Sequence, residues 1–332
     1  MIKIGYKFVG DQNKLVGFNA SGTTITNSGA WWPGIVTSHS IDENENVTPV
    51  RYAGAASRNV QLFTELAQTF DGTISYNPQD FRILKFVLGS CVDAGSPSPY
   101  THAFVETNND GAVLEHPNTS LPAFGLEDSK SVLVAGSGLN FVRTLNGCFV
   151  KDFSLSLEEG GLASCSVSYV ARQLSFSSGA TTSVTADTGR PFRFSDFAVH
   201  IPSGTTFSNF KTLTVDVNNN LDVPNYLDGA RTVGDPIPGN RDYSISLSSN
   251  ADSADAKTFY DQYFIGGSTF NMMLLGTLST GSRVLRWTFS GCRLSDMTAP
   301  TELGGVQAFD LTITPQISDA LEDSSTFKYN GW

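Results

Sequence analysis

Along much of the chain, apolar and small polar residues alternate one by one. Phe153, Leu155 and Leu157 are interleaved with Asp152, Ser154 and Ser156. The return stretch sets Ala163, Cys165, Val167 and Tyr169 against Ser164, Ser166 and Ser168. Farther on, Leu213, Val215 and Val217 alternate with Thr214, Asp216 and Asn218. A period of two marks a strand with one buried and one solvated face. The pattern predicts antiparallel sheets with one apolar face and one smooth polar face. The polar face is rich in Ser, Thr and Asp and short of Lys, Arg172 being an exception.

Twice the spacing changes to that of a helix. Phe81, Leu84, Val87 and Leu88 follow Asn77-Pro78, a good cap and first-turn pair, and stop at Gly89-Ser90. Ala256, Phe259, Tyr260, Tyr263 and Phe264 follow Asp252-Ser253 and stop at Gly266-Gly267-Ser268. Two short helices are predicted, one in each half.

The halves repeat each other. Ser21-Gly22-Thr23-Thr24-Ile25-Thr26-Asn27 matches Ser203-Gly204-Thr205-Thr206-Phe207-Ser208-Asn209. The stretch Thr37 to Val47 lies over Leu213 to Val223, and the stretch around Ile74 over that around Ile245. Leu145 to Val170 superposes on Phe289 to Thr314 without a gap. There Gly147, Cys148, Asp152, Glu158, Gly160 and Gly161 recur as Gly291, Cys292, Asp296, Glu302, Gly304 and Gly305. The order of turn, strand, loop, strand, helix and hairpin is shared. This divides the chain into a first domain at 1–178, a linker at 179–191, a second domain at 192–320 and a tail at 321–332. The first domain carries an insertion at about 92–138 and a short one around Trp31 and Trp32.

Composition narrows the function. The 332 residues suit two domains, and 31 glycines with 23 phenylalanines favour short strands and tight turns. Charged residues are only 16%, too few for a disordered or coiled-coil chain. A net charge of −11 leaves no basic footprint for gripping nucleic acid. No apolar run approaches the roughly 20 residues of a membrane span, and the first ten residues lack the features of a signal peptide. A protein made in a cytoplasm and kept soluble is expected.

Candidate chemistry is sparse. Cys91, Cys148, Cys165 and Cys292 form no CxxC pair and read as small buried thiols. The four histidines are far apart, and no HExxH, nucleophile elbow, Walker loop or dinucleotide fingerprint is present. The acid- and amide-rich Glu106, Asn108, Asn109, Asp110 and Gly111 lack the closing Glu of an EF-hand and read as an exposed turn. Glu158 and Glu159 precede Gly160-Gly161 and read as a hairpin tip, since adjacent strand residues face opposite ways. Neither an enzyme nor a cofactor is expected.

On these residues the chain resembles the major tail tube proteins of long-tailed phages, of the kind with a duplicated tube domain. The stretch from Val36 to Gly54, its partner from Leu213 to Leu247, the Gly-Ser-ended helix and the Gly147-Cys148 to Gly160-Gly161 hairpin carry the resemblance, which covers roughly Ser21 to Gln316. It implies an all-β fold of two tandem antiparallel β-sandwich domains, each with a flanking helix. It implies trimeric, pseudo-hexameric rings that stack into a tube conducting double-stranded DNA without sequence recognition. Tape measure, tail terminator and distal tail proteins would be partners, the virion tail the location and the host cytoplasm the assembly site, with no membrane contact. An acidic lumen would repel phosphate and let DNA slide.

Combined with strand phase, the resemblance points Asp42, Asp152, Ser166, Asp216, Asp242, Asp296 and Asp310 into that lumen. The long segments Glu43 to Thr69 and Asn218 to Asn240 would reach an adjacent ring or subunit. Their apolar residues include Val47, Tyr52, Leu62, Phe63 and Leu66 in the first and Leu221, Tyr226 and Val233 in the second. Competing readings are a distal tail or baseplate ring protein of the same fold and a carbohydrate-binding β-sandwich using Trp31 and Trp32. A glycoside hydrolase would need two carboxylates across a cleft, and no such pair is assignable.

Overall fold

The computed structural model describes residues 6–7, 13–17, 30–31, 34–51, 59–60, 62–94, 100–106, 121–134, 137–177, 189–202, 206–207, 210–225, 231–250, 259–278, 283–298 and 308–324. The first half begins with β1 (Tyr6–Lys7), β2 (Asn13–Gly17), β3 (Ala30–Trp31), β4 (Gly34–Asn44), β5 (Val47–Val50), β6 (Leu62–Glu65) and β7 (Thr69–Pro78). The helix α1 (Leu84–Leu88) follows, then β8 (Gly89–Ala94), β9 (Tyr100–Glu106), β10 (Phe124–Val134), β11 (Ser137–Glu158) and β12 (Ser164–Ser177). The second half holds β13 (Phe197–His200), β14 (Thr206–Phe207), β15 (Phe210–Asn218) and β16 (Asp242–Asn250). A π-helical turn at Phe259–Ile265 leads to β17 (Phe270–Leu278), β18 (Arg283–Thr298), β19 (Ala308–Thr314) and β20 (Ile317–Ser324). The protein is all-β with short helices, as the alternation predicts.

One layer is a continuous antiparallel sheet in the order β4, β7, β12, β11, β15, β16, β19, β18. Each half supplies four neighbouring strands. The halves join where β11 pairs with β15, Asp152 opposite Asn218 and Leu155 opposite Val215. A second layer covers the apolar face. One part runs β3, β2, β10, β11, β12, and the other runs β14, β13, β17, β18, β20 of the second half followed by β9 and β8 of the first.

The strands β11, β12 and β18 serve both layers, and β11 and β18 bend at a glycine each. Gly147 and Gly291 take left-handed φ angles of 62° and 63° there. A Cβ on Gly291 would lie 2.4 Å from the Gln316 side chain. Just beyond, the pairing register shifts between Val150 and Asp152 and again between Leu294 and Asp296. A bulge tightens the twist and re-aims the strand into the other sheet.

Between the layers lie Ile74, Phe153, Leu155, Val167, Val215, Leu247, Leu311, Trp287 and Phe289, each at most 1% exposed. Full burial of one such side chain contributes about 1.5–3 kcal/mol. Cys148, Cys165 and Cys292 are buried here as free thiols, and burial pushes the Cys292 thiol up to about 11. Tyr169 of β12 reaches past β7 to β4, its hydroxyl 2.8 Å from His39 Nε2 and donating to the Ser40 carbonyl at 3.1 Å. Only glycine fits at position 72 beside it, since a Cβ would come within 2.1 Å of that carbonyl.

The helices are shorter than the spacing predicts. Asn77 and Pro78 still belong to β7, and the Asn77 amide donates to the Ala163 carbonyl at 2.8 Å instead of capping a helix. The chain then turns on Asp80, whose carboxylate accepts from the Arg82 backbone N–H at 3.1 Å, and α1 begins only at Leu84. It ends as expected on Gly89, at φ 116°. In the second half the turn at Phe259–Ile265 closes with a bond from Gly266 N–H to the Asp261 carbonyl at 3.1 Å. Ala256 lies outside the described residues.

The tip at Glu158 to Gly161 is a tight turn, Gly160 at φ 74° and Gly161 N–H bonded to the Glu158 carbonyl at 2.9 Å. At the other end of the chain, β20 runs to Ser324, so Leu321 to Ser324 belong to the second layer and not to a tail. The short polar run conceals that assignment, because Glu322 is buried against the β7–α1 connection.

Candidate functional site

The solvated face of the long sheet is built from alternate residues of all its strands. One row across it reads Ser38, Ser75, Ser166, Ser154, Asp216, Ser244. The next reads Ser40, Thr73, Ser168, Asp152, Asn218, Asp242. A third runs Ser164, Ser156, Thr214, Ser246, Thr312, Asp296. Asp310 stands between Ser248 and Thr298. Asp42 sits at the end of β4, opposite Asp71. All seven residues that strand phase and the resemblance select therefore lie on one face.

Sequence reasoning passed over Asp71, Thr73 and Ser75, although the alternation through Thr69–Pro78 carries the signal. Burial raises the Asp71 carboxyl, the Asp42 carboxylate raises it further, and Lys151 opposes both. Lys151 is a cation on this face that phase alone missed, because the bulge beside it interrupts the alternation of β11. What the face offers chemically is short hydroxyls and carboxylates. Among the described residues, no group of His, Cys, Asp and Glu could hold a metal ion.

The two long connections are built differently. In the first, β5 and β6 form a hairpin, Val47 opposite Glu65 and Val50 opposite Leu62. Val47, Leu62, Phe63 and Leu66 stay 48–64% exposed. In the second, Asp222 and Ile237 exchange backbone hydrogen bonds of 2.9 and 2.8 Å, and the loop folds onto its own chain. Leu221 packs on Leu121, Ala123 and Phe149, and Val233 is buried. Tyr52 and Tyr226 lie outside the described residues.

The second connection holds the base of the first. Arg231 bridges Glu45 at 3.1 Å and Glu65 at 2.6 Å, and its Nε donates to the Leu66 carbonyl at 3.1 Å. Gln68 N–H donates to the Arg231 carbonyl at 2.7 Å. The Gln68 amide and then the Arg231 guanidinium hold the Glu45 carboxyl below its ordinary range.

Glu106, expected in an exposed turn, ends β9 and accepts from the Tyr243 hydroxyl and from Ser318 N–H at 2.7 Å. Asn108 to Gly111 lie outside the described residues. The long sheet also has two outer edges. Among the described residues β4 pairs only with β7, and the Arg293 to Thr298 part of β18 only with β19.

The virion of a native gene transfer agent particle holds a chain that is similar at 13% identity and TM-score 0.30, over 36% of this chain and 91% of that one. The tube-terminating cap of the anti-feeding prophage is similar at 17% identity and TM-score 0.30, over 43% of this chain and 98% of that one. No curated protein matches. A family model described as phage tail tube protein matches residues 53–314, which is most of the chain and spans both halves. The chain belongs to the phage tail tube protein family, and its role is that of a structural component of a viral tail.

Proposed function

We propose that three copies of this chain close a ring of six similar units, and that stacked rings form a tube that conducts double-stranded DNA. The observation that carries the reading is the long sheet. Its four first-half strands and four second-half strands follow one another in the same order, β4, β7, β12, β11 and then β15, β16, β19, β18. A duplicated unit accounts for this. In support, β2 pairs with β10 and β10 with β11, as β13 pairs with β17 and β17 with β18. On that correspondence β10 is the counterpart of β17. The extra material of the first half is then β8, β9 and the chain up to β10, a narrower insertion than 92–138.

The junction between halves supplies the template for a junction between chains. Open edges invite pairing, and a head-to-tail contact that closes makes a ring. Asp296 corresponds to Asp152, and Asn44 to Asn218. The edge of β18 therefore meets β4 of the next chain with Asp296 opposite Asn44. The Ser- and Asp-lined face turns to the lumen, where its few donors leave phosphates little to bind. The exposed β5–β6 hairpin reaches a neighbouring ring, and the tape measure, terminator and distal tail proteins meet the tube at its interior and ends. The assembled protein resides in the virion tail, is put together in the host cytoplasm and catalyses nothing.

Cysteines at positions 44 and 296 test the junction. Oxidation of assembled protein is expected to give covalent rings of three chains, since paired strands bring opposite Cα atoms within disulfide range. Images showing six whole chains per ring would overturn the stoichiometry.

A further inference from the structure

Corresponding positions in the two halves differ sharply in burial. Arg143 stands opposite Phe176 in β11 and β12, as Trp287 stands opposite Ala320 in β18 and β20. Phe141 precedes Arg143 by two residues, as Leu285 precedes Trp287. Leu285 and Trp287 are fully buried and Ala320 is 4% exposed. Phe141 and Phe176 are 44% and 58% exposed, with ring centroids 5.7 Å apart.

The cover over the second-half positions comes from the first half. Trp287 packs on Phe153 of β11 at 6.0 Å between centroids, and Ala320 stands opposite Phe104 of β9. Two second-half residues also bind the end of α1, Asn219 donating to the Val87 carbonyl at 3.3 Å and Arg241 to the Leu88 carbonyl at 3.0 Å. Packed also on β8, β9 and β11 of its own half, α1 has no exposed apolar surface, its Leu84, Phe86, Val87 and Leu88 being at most 1% exposed. The turn that takes its place in the second half leaves Tyr260 47% and Ile265 65% exposed. Each half thus shows bare apolar surface at the end where it lacks a neighbour.

We infer that Phe141 and Phe176 are the seat for the second half of another copy of this chain. Met297 of that copy takes the place of Phe153, since Met297 stands opposite Leu311 as Phe153 stands opposite Val167. The Phe259–Ile265 turn of that copy takes the place of α1. No counterpart of β9 covers Phe176, so the chain-to-chain seam lacks the two strands β8 and β9 of the seam inside a chain, and two aromatic rings fill that space. The inference rests on the ring reading and specifies the partner surface of its junction.

The test uses the full chain with Phe141 and Phe176 both changed to Ser, and separately a photo-crosslinking amino acid at position 176. Burial of two aromatic rings is worth well over tenfold in association, so the double variant is expected to lower the assembled fraction by at least about tenfold. The unassembled variant is expected to melt like the unassembled wild type, because both rings are exposed in the single chain. The crosslinker is expected to label residues 259–298 of another chain. Full-yield rings from the double variant, or crosslinks confined to the same chain, would overturn the inference and leave the ring reading standing. Wild-type protein that forms no ring at all would remove the ring reading itself, and this inference with it.

Discussion

Asn46 and Asn220 hold the same left-handed backbone shape, φ 46° and 45°, two residues beyond the ends of β4 and β15. The Asn46 N–H donates to Asn44 Oδ1 at 3.0 Å, and the Asn220 N–H to Asn218 Oδ1 at 2.7 Å. Each side-chain amide then reaches the far side of its loop, Asn46 to the Ala67 carbonyl at 2.5 Å and Asn220 to the Asn240 carbonyl at 2.7 Å. One residue type thus supplies both the positive φ and the tie across the loop. Asn220→Ala is expected to lower stability by about 1–3 kcal/mol in denaturant titration, from strain plus a lost hydrogen bond. Asn220→Gly is expected to recover only the strain. Equal stability of the two variants would show that the backbone strain contributes nothing, and a Gly variant as stable as wild type would show the same of the side-chain tie.

Glu322 gives the protein a pH dependence. Its carboxyl is fully buried, accepts from Phe81 N–H at 3.2 Å and stands opposite His102 of β9. Burial and then the Asp80 carboxylate raise it from 4.5 to about 8, against the pull of Arg283 and Arg82. Folded chains therefore keep this proton at neutral pH while unfolded chains lose it above about 4.5. Its contribution to stability is full below that value and falls as pH rises through about 8. Glu322→Gln is expected to flatten melting temperature against pH between 5 and 9 relative to wild type. An unchanged slope would place the titration elsewhere.

Gly72→Ala probes the packing of Tyr169. The added methyl would come within 2.1 Å of the Ser40 carbonyl and 2.6 Å of the Tyr169 hydroxyl, so a strand or the ring must move. A loss of about 1–3 kcal/mol is expected from overpacking. The thermal shift of the purified chain measures it, and a neutral substitution would mean that β4 shifts freely.

Reversing charge on the polar face tests the lumen assignment. Asp216 and Asp310 are both exposed and lie on the same face. Replacing both with Lys is expected to leave assembly intact and to slow DNA passage, more strongly at low salt, where phosphate attraction is least screened. Ejection kinetics of virions carrying the double variant read this out. Unchanged kinetics at all salt concentrations would show that charge on this face does not govern passage.

The strand faces were legible from sequence because a period of two is a local property, and burial follows it directly from Phe153 to Leu157 and from Leu213 to Val217. A shift in the alignment of the halves is harmless to that reading. On the proposed duplication, with Ser40 opposite Thr73 matched to Thr214 opposite Ser246, Thr37 laid on Leu213 is displaced by two residues. A slip of two keeps every side chain on its face, whereas a slip of one would invert them all.

Other features depend on contacts between residues far apart in sequence, and these only the tertiary structure decided. Nothing local to Glu322 tells that Asp80 will lie beside it, and nothing local to Arg231 names Glu45 and Glu65 as its partners. Helical spacing from Phe81 to Leu88 was real, but Asn77 and Pro78 were claimed by β7, whose ladder to β4 pairs them with Ile35 and Gly34 and outweighs a helix start. The two long connections look alike in composition, yet one projects apolar side chains and the other buries them. By itself the sequence determined which face of each strand is dry, because alternation and hydrophobicity act residue by residue. Which strands become neighbours, and which surfaces are left uncovered, was decided by long-range pairing, because burial there depends on what the rest of the chain brings against each surface.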